Sequence, residues 1–255
     1  MRKLIKIGDR ICKINTSVDS WEYMEDFIMA LCHVDKGYYM FSTDESKNNK
    51  QKYKYSERIF AYEFYHQYRR IMEKKNVYEG IFLNGEQTKN QQIANYIGDY
   101  TPDLVLHKKL DGMSKDSQLW LCEIKMVESR NPLSDLEKFE KMKELNFKEN
   151  VFLYAGGCIY LLLSKLDNKL NKATIDKDSA KNYICVCSYY AGNILRVECH
   201  RVGTLLDMIK KLDMKEIKKI MRNKKKIFHK SSNLCRGGEC VKKELMKATK
   251  DEFVY

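Results

Sequence analysis

Three charged residues stand where their neighbours invite burial. Asp103 follows Pro102 and opens the run "DLVLH"; after 19 intervening residues Glu123 and Lys125 stand two apart inside "QLWLCEIK". Both runs have the length and residue types of strands, and "KKLDGMSKDS" between them carries Asp-Gly as a turn signal. Side chains alternate along a strand, so Glu123 and Lys125 share one face while Trp120, Cys122 and Ile124 pack on the other. If the two strands pair across the loop, Asp103 comes beside Glu123. Adjacent carboxylates repel unless a proton or a cation intervenes, and Mg²⁺ accepts sites of one or two carboxylates while keeping several waters. An ammonium beside such a site can orient water or stabilise charge developing on a phosphoryl oxygen. The set therefore suits phosphodiester hydrolysis. The plainer reading makes Asp103 a strand-start residue after proline and Glu123–Lys125 an exposed ion pair, which gains little stability.

The surrounding elements must hold these residues in place. "SERIFAYEFYHQYRRIMEKK" (56–75) predicts a helix, with Ser56 as N-cap and Glu57 in the first turn, where the helix dipole favours an acid. Phe60, Phe64, Tyr68 and Ile71 form its apolar face, and Glu63, Gln67 and Arg70 run along one flank. Strands are expected over 78–87, 103–107 and 118–125, then a helix over 131–146 with Leu136, Phe139 and Met142 or Lys143 on one side. A further strand lies in "ENVFLYAGGCIYLLLSK", followed by a helix, and later strands in "NYICVCSYY" and "ILRVECHRV". Three consecutive strands predict a meander, and the helix and strand after them a crossover, giving a mixed α/β sheet. Residues 1–45 hold a helix around "WEYMEDFIMALCHV". The polar run 44–55 reads as a linker or exposed loop.

Pro102–Asp103, followed at this spacing by Glu123-Ile124-Lys125, resembles the PD-(D/E)XK nuclease motif. The helix–strand–strand–strand–helix–strand order resembles the restriction-endonuclease-like core over about residues 56–165. This resemblance implies an α/β (α+β) fold with a central mixed sheet flanked by helices. It also implies that Asp103, Glu123 and the main-chain carbonyl of Ile124 ligate Mg²⁺, with Mn²⁺ as a substitute, and that Lys125 assists the attacking water. An acid on the first helix supports the metal in that family, and Glu63 matches on position. The other reading of Glu63 is a helix-surface carboxylate paired with Gln67 or Arg70. Glu86, in "NGEQTK", is a second candidate acid. The implied activity is a metal-dependent endonuclease, with DNA as substrate in preference to RNA, in defence, restriction or repair. The alternative is a catalytically inactive nucleic-acid-binding protein of the same fold. Cutting both strands would take two active sites, so a homodimer is expected.

Charge adds a partner. The chain of 255 residues has a net charge of +12, and residues 207–250 hold fifteen Lys and Arg against five Asp and Glu. A basic stretch of this kind favours a polyanion, because binding releases condensed counter-ions. A basic helix over 203–226 places Lys218, Lys219, Arg222, Lys224, Lys225 and Lys226 as phosphate contacts; a solvated tail is the other reading. The expected organisation is an N-terminal helical extension (1–50), a nuclease core (51–202) and a basic C-terminal region (203–255).

No secretory signal is expected at the N-terminus, and "VFLYAGGCIYLLL" is too short to span a bilayer. Nine cysteines, an odd number scattered through apolar runs, read as reduced core thiols in a cytoplasmic protein. His200, His229, Cys235 and Cys240 lack the paired spacing of a structural zinc site. No nucleotide-hydrolysing glycine motif occurs.

Overall fold

From Trp120 to Met126 the side chains divide by parity. Trp120, Cys122, Ile124 and Met126 enter one apolar cluster, and Leu121 enters another across the sheet. This double burial sets the architecture. A strand covered on both faces needs a layer of helices on each.

The computed structural model describes residues 2–16, 21–45, 50–85, 101–108, 116–129, 132–166, 181–190 and 194–211. The chain begins with β1 (Arg2–Ile7), β2 (Arg10–Thr16), α1 (Met24–His33), α2 (Lys36–Tyr39), β3 (Met40–Glu45) and β4 (Lys50–Tyr55). Then come α3 (Glu57–Met72), β5 (Ile81–Gly85), β6 (Leu104–Lys108), β7 (Gln118–Met126), α4 (Pro132–Lys141) and β8 (Glu149–Ala155). It continues with α5 (Ile159–Leu166), β9 (Asn182–Tyr190), β10 (Ile194–Arg201) and α6 (Val202–Lys211).

Eight strands form one mixed sheet in the order β1-β2-β10-β9-β8-β7-β6-β5. Strands β5, β6 and β7 pair antiparallel as the expected meander, and β8 returns after α4 to lie parallel to β7. On one face α1 and α3 bring Phe27, Phe60, Phe64 and Tyr68 onto Trp120, Leu104 and Leu153. Phe27 and Tyr68 both meet the Trp120 ring edge-on, at 5.5 and 5.4 Å between centroids. On the other face Leu136, Phe139, Leu162, Leu163 and Leu205, from α4, α5 and α6, cover Leu121, Phe152 and Val186. The molecule is thus a mixed α/β fold with a large mixed sheet flanked by helices.

Three expectations are corrected. Residues 2–16, expected within a helical extension, form a β-hairpin whose second strand lies parallel to β10 and extends the main sheet. Buried Arg10 anchors it by donating to the carbonyls of Cys32 and Val34 at 2.9 and 2.8 Å and pairing with Asp35, so it ties the hairpin to the end of α1. The polar run 44–55 lies largely in a second hairpin, β3–β4, with Met40 opposite Tyr55. Its alternation is between polar residues and tyrosines, so no apolar contrast marks it as a strand.

The third correction concerns the cysteines. Cys185 and Cys199 stand directly opposite on β9 and β10 and are joined as a disulfide, whereas Cys12, Cys32, Cys122, Cys158 and Cys187 are free thiols. Cross-strand partners bring their Cβ atoms within disulfide reach, which a scattered cysteine pattern does not disclose. No helix among the described residues is long and apolar enough to cross a membrane.

Candidate active site

Antiparallel pairing of β6 and β7 matches Leu104 with Cys122. One step further, Asp103 comes opposite Glu123, on the sheet face away from the Trp120 cluster. The ladder has ended there, and the Asp103 carboxylate takes over its role: Oδ2 accepts the Ile124 N–H at 2.6 Å. The Ile124 carbonyl lies on the same strand edge as its N–H. Glu123 is buried, its side chain 1% exposed, and its Oε2 accepts from the Lys138 ammonium of α4 at 2.9 Å.

Lys125 reaches the opposite way. Its Nζ donates to Glu57 Oε1 at 2.8 Å, while Glu57 Oε2 accepts from the Met126 N–H at 3.3 Å. Glu57 is the first residue of α3, just after Ser56, whose hydroxyl accepts from the Ile59 N–H and caps the helix. The N-terminus of α3 thereby meets the end of β7. This junction, the start of β6 and the ends of β5 and β8 all lie at one end of the sheet, since Gly85 pairs with Leu104 and Ala155 with Met126.

The helix acid at this site is Glu57, and the assignment to Glu63 is revised. Glu63 accepts from Gln67 at 2.6 Å along the flank of α3, the surface pairing that was its other reading. Glu63 lies six residues into the helix, about 9 Å along the axis from Glu57. Glu86 and Lys218, Lys219, Arg222, Lys224, Lys225 and Lys226 lie outside the described residues, as do His229, Cys235 and Cys240. His200 is buried on β10 beside Glu198, at 3.6 Å.

The electrostatics follow from burial. Asp103 is pushed up from the ordinary carboxylate range, chiefly by desolvation and also by the charge of Glu57; the Ile124 N–H, Lys125 and Lys138 pull the other way. The neighbouring Cys122 thiol is pushed up by its burial, and the Asp103 and Glu123 charges act in the same direction. Three carboxylates and two ammonium groups therefore share this end of the sheet.

Among the described residues, no group of three or more His, Cys, Asp or Glu is gathered to hold a metal ion. The oxygen donors that the pairing of β6 with β7 places side by side at this end of the sheet are the Asp103 and Glu123 carboxylates and the Ile124 carbonyl. They are hard oxygens only, which suits Mg²⁺ with waters completing its shell and is a poor set for zinc. Desolvation at Asp103 also disfavours charge there, a penalty that a nearby cation relieves.

The loop leaving β7 is held in turn. Lys165 of α5 donates to the carbonyls of Val127 and Ser129. Compared with family models, with curated proteins and with solved structures, the chain matches none.

Proposed function

We propose that this chain is a metal-dependent nuclease with a restriction-endonuclease-like core, hydrolysing phosphodiester bonds in DNA in preference to RNA. One observation carries the reading. Asp103 and Glu123 stand opposite each other with Lys125 on the same strand, at the shared end of α3, β6 and β7. The order α3-β5-β6-β7-α4-β8 with this pairing is the arrangement that the motif resemblance calls for.

Asp103, Glu123 and the Ile124 carbonyl would hold Mg²⁺ or Mn²⁺. Such an ion, when bound, supplies Lewis-acid charge at the phosphate and acidifies a coordinated water. The chain's own groups do the positioning. The Ile124 N–H fixes the Asp103 carboxylate, and Glu57 holds the Lys125 ammonium at the end of β7. There Lys125 can orient the attacking water and stabilise negative charge as it grows on the phosphoryl oxygens. Burial on both faces of β7 keeps the donors rigid, as a charge-stabilising site requires.

A second reading is favoured by the ion pairs themselves. Lys125 pairs with Glu57 and Lys138 with Glu123, and a nucleic-acid-binding scaffold without activity could keep these pairs for stability alone.

The test is degradation of plasmid, linear, single-stranded and RNA substrates with Mg²⁺ or Mn²⁺, run on wild type, Lys125→Ala and Asp103→Asn. Both variants should lose about a hundredfold or more in rate, the scale of one lost electrostatic stabiliser, and chelator should silence wild type. Salt-sensitive binding by all three proteins with no cleavage would instead select the binding scaffold.

A further inference from the structure

Lys138 is not part of the motif, yet it makes the direct contact with the most deeply buried carboxylate of the site. Its Nζ lies 2.9 Å from Glu123 Oε2, and the two side chains differ sharply in exposure, 29% against 1%. Glu123 is fixed by the strand and cannot turn to water. Lys138 stands on the flank of α4 beside the buried stripe of Leu136, Phe139 and Met142, and a lysine stem can swing its head to solvent or to another anion.

We propose that Lys138 is the resident counter-ion of this site, an ammonium that occupies Glu123 in the metal-free protein and is displaced when a divalent cation binds. The proposal rests on the metal-dependent reading above and goes beyond it. Metal affinity is set by competition: the cation must replace an existing charge-assisted hydrogen bond on Glu123. A buried carboxylate that loses a paired cation is costly, so the exchange keeps Glu123 compensated before and after loading. The displaced ammonium remains next to the site with its charge intact, where a phosphate oxygen is the anion it would meet.

A merely structural ion pair makes a different prediction. Removing Lys138 would then cost stability and leave metal affinity unchanged. Under competition, removing it costs stability without metal and tightens metal binding.

The experiment measures Mn²⁺ and Mg²⁺ binding by isothermal titration, together with the melting temperature with and without each metal. The full chain is used as wild type, Lys138→Met, Lys138→Gln, Lys138→Arg and Glu123→Gln. The expected result is that Lys138→Met and Lys138→Gln melt lower than wild type without metal and bind Mn²⁺ about tenfold more tightly, a conservative scale for a lost close charge pair. Lys138→Arg should stay near wild-type affinity, because it keeps the competing charge. If Lys138→Met does not fold, the order of Lys138→Gln, wild type and Lys138→Arg decides.

Equal Mn²⁺ affinity in wild type and the neutral variants, with binding lost in Glu123→Gln, would overturn the competition while leaving the metal site standing. No binding of either metal to wild type would overturn the metal-dependent reading and this proposal together.

Discussion

Among single residues, the sharpest contrast lies between two acids on one helix. Glu57 bonds both to the Lys125 ammonium and to the main chain of Met126, whereas Glu63 bonds to Gln67. In the proposed metal-dependent cleavage, Glu57→Gln should therefore slow the reaction about tenfold to a hundredfold by loosening Lys125, and Glu63→Gln should stay within about twofold. Initial rates under single-turnover conditions check both; equal losses would return Glu63 to the site. Asp103, Glu123 and Lys125 were legible because a period of two fixes which strand residues share a face. Which acid of α3 stands near these residues is not legible in the sequence, because apolar periodicity gives the face of a helix but not which of its ends meets the strands. The alternation of direction from α3 through β5, β6 and β7 supplies that, since it brings the start of α3 to the end of β7. Lys138 had no sequence signal: its spacing marks only the flank of an apolar stripe, and the reach to Glu123 depends on how α4 lies across the sheet.

At the level of elements, the strands and helices that build the site follow from apolar patterning, and the two hairpins do not. β3–β4 alternates Lys with Gln and Tyr, and in β1 exposed Leu4 stands beside half-buried Ile5 and Ile7, so neither offers the clean alternation that reveals a half-buried strand. What anchors β3–β4 is packing with a partner distant in sequence. Tyr55 lies against Gly156, just after β8, where an added Cβ would come within 3.2 Å of the Tyr55 ring and 3.3 Å of Val127. Gly156 also has φ +81°, backbone that other residues adopt only under strain. Gly8, in the β1–β2 turn, has φ +56° but open space around it, which separates the two costs. Gly8→Ala should destabilise by about 1 kcal/mol from backbone strain alone, and Gly156→Ala by about 2–3 kcal/mol, with strain and crowding combined. Urea unfolding of the two variants checks the order; equal losses would mean that Tyr55 and Val127 give way freely. The connection bears on the site because Tyr55 stands two residues before Glu57 and Val127 two after Lys125.

For the molecule as a whole, the two ends of the sheet carry different electrostatic loads, and the end remote from the site gives a global pH signature. Glu149 opens β8 opposite Trp120. Its Oε2 is buried and takes no hydrogen bond among the described residues. Desolvation pushes this carboxyl up to about 7, despite a hydrogen bond from Tyr183 and the nearby charges of Lys181, Arg201 and Lys148. In the unfolded chain it titrates near 4.5. Between those two values the folded state holds more protons than the unfolded state, so stability falls as pH rises from about 4.5 to 7 and the penalty persists above. Asp103, raised by its own burial, acts with the same sign from the opposite end. Glu149→Gln removes the first contribution and leaves the second. It should match wild type near pH 4.5 and exceed it by about 2 kcal/mol at pH 7.5, after allowance for solvent screening. Denaturant unfolding across that range measures the difference. A wild-type slope that survives unchanged in Glu149→Gln would assign the pH dependence to Asp103 and the site end of the sheet, where added divalent cation should then flatten it.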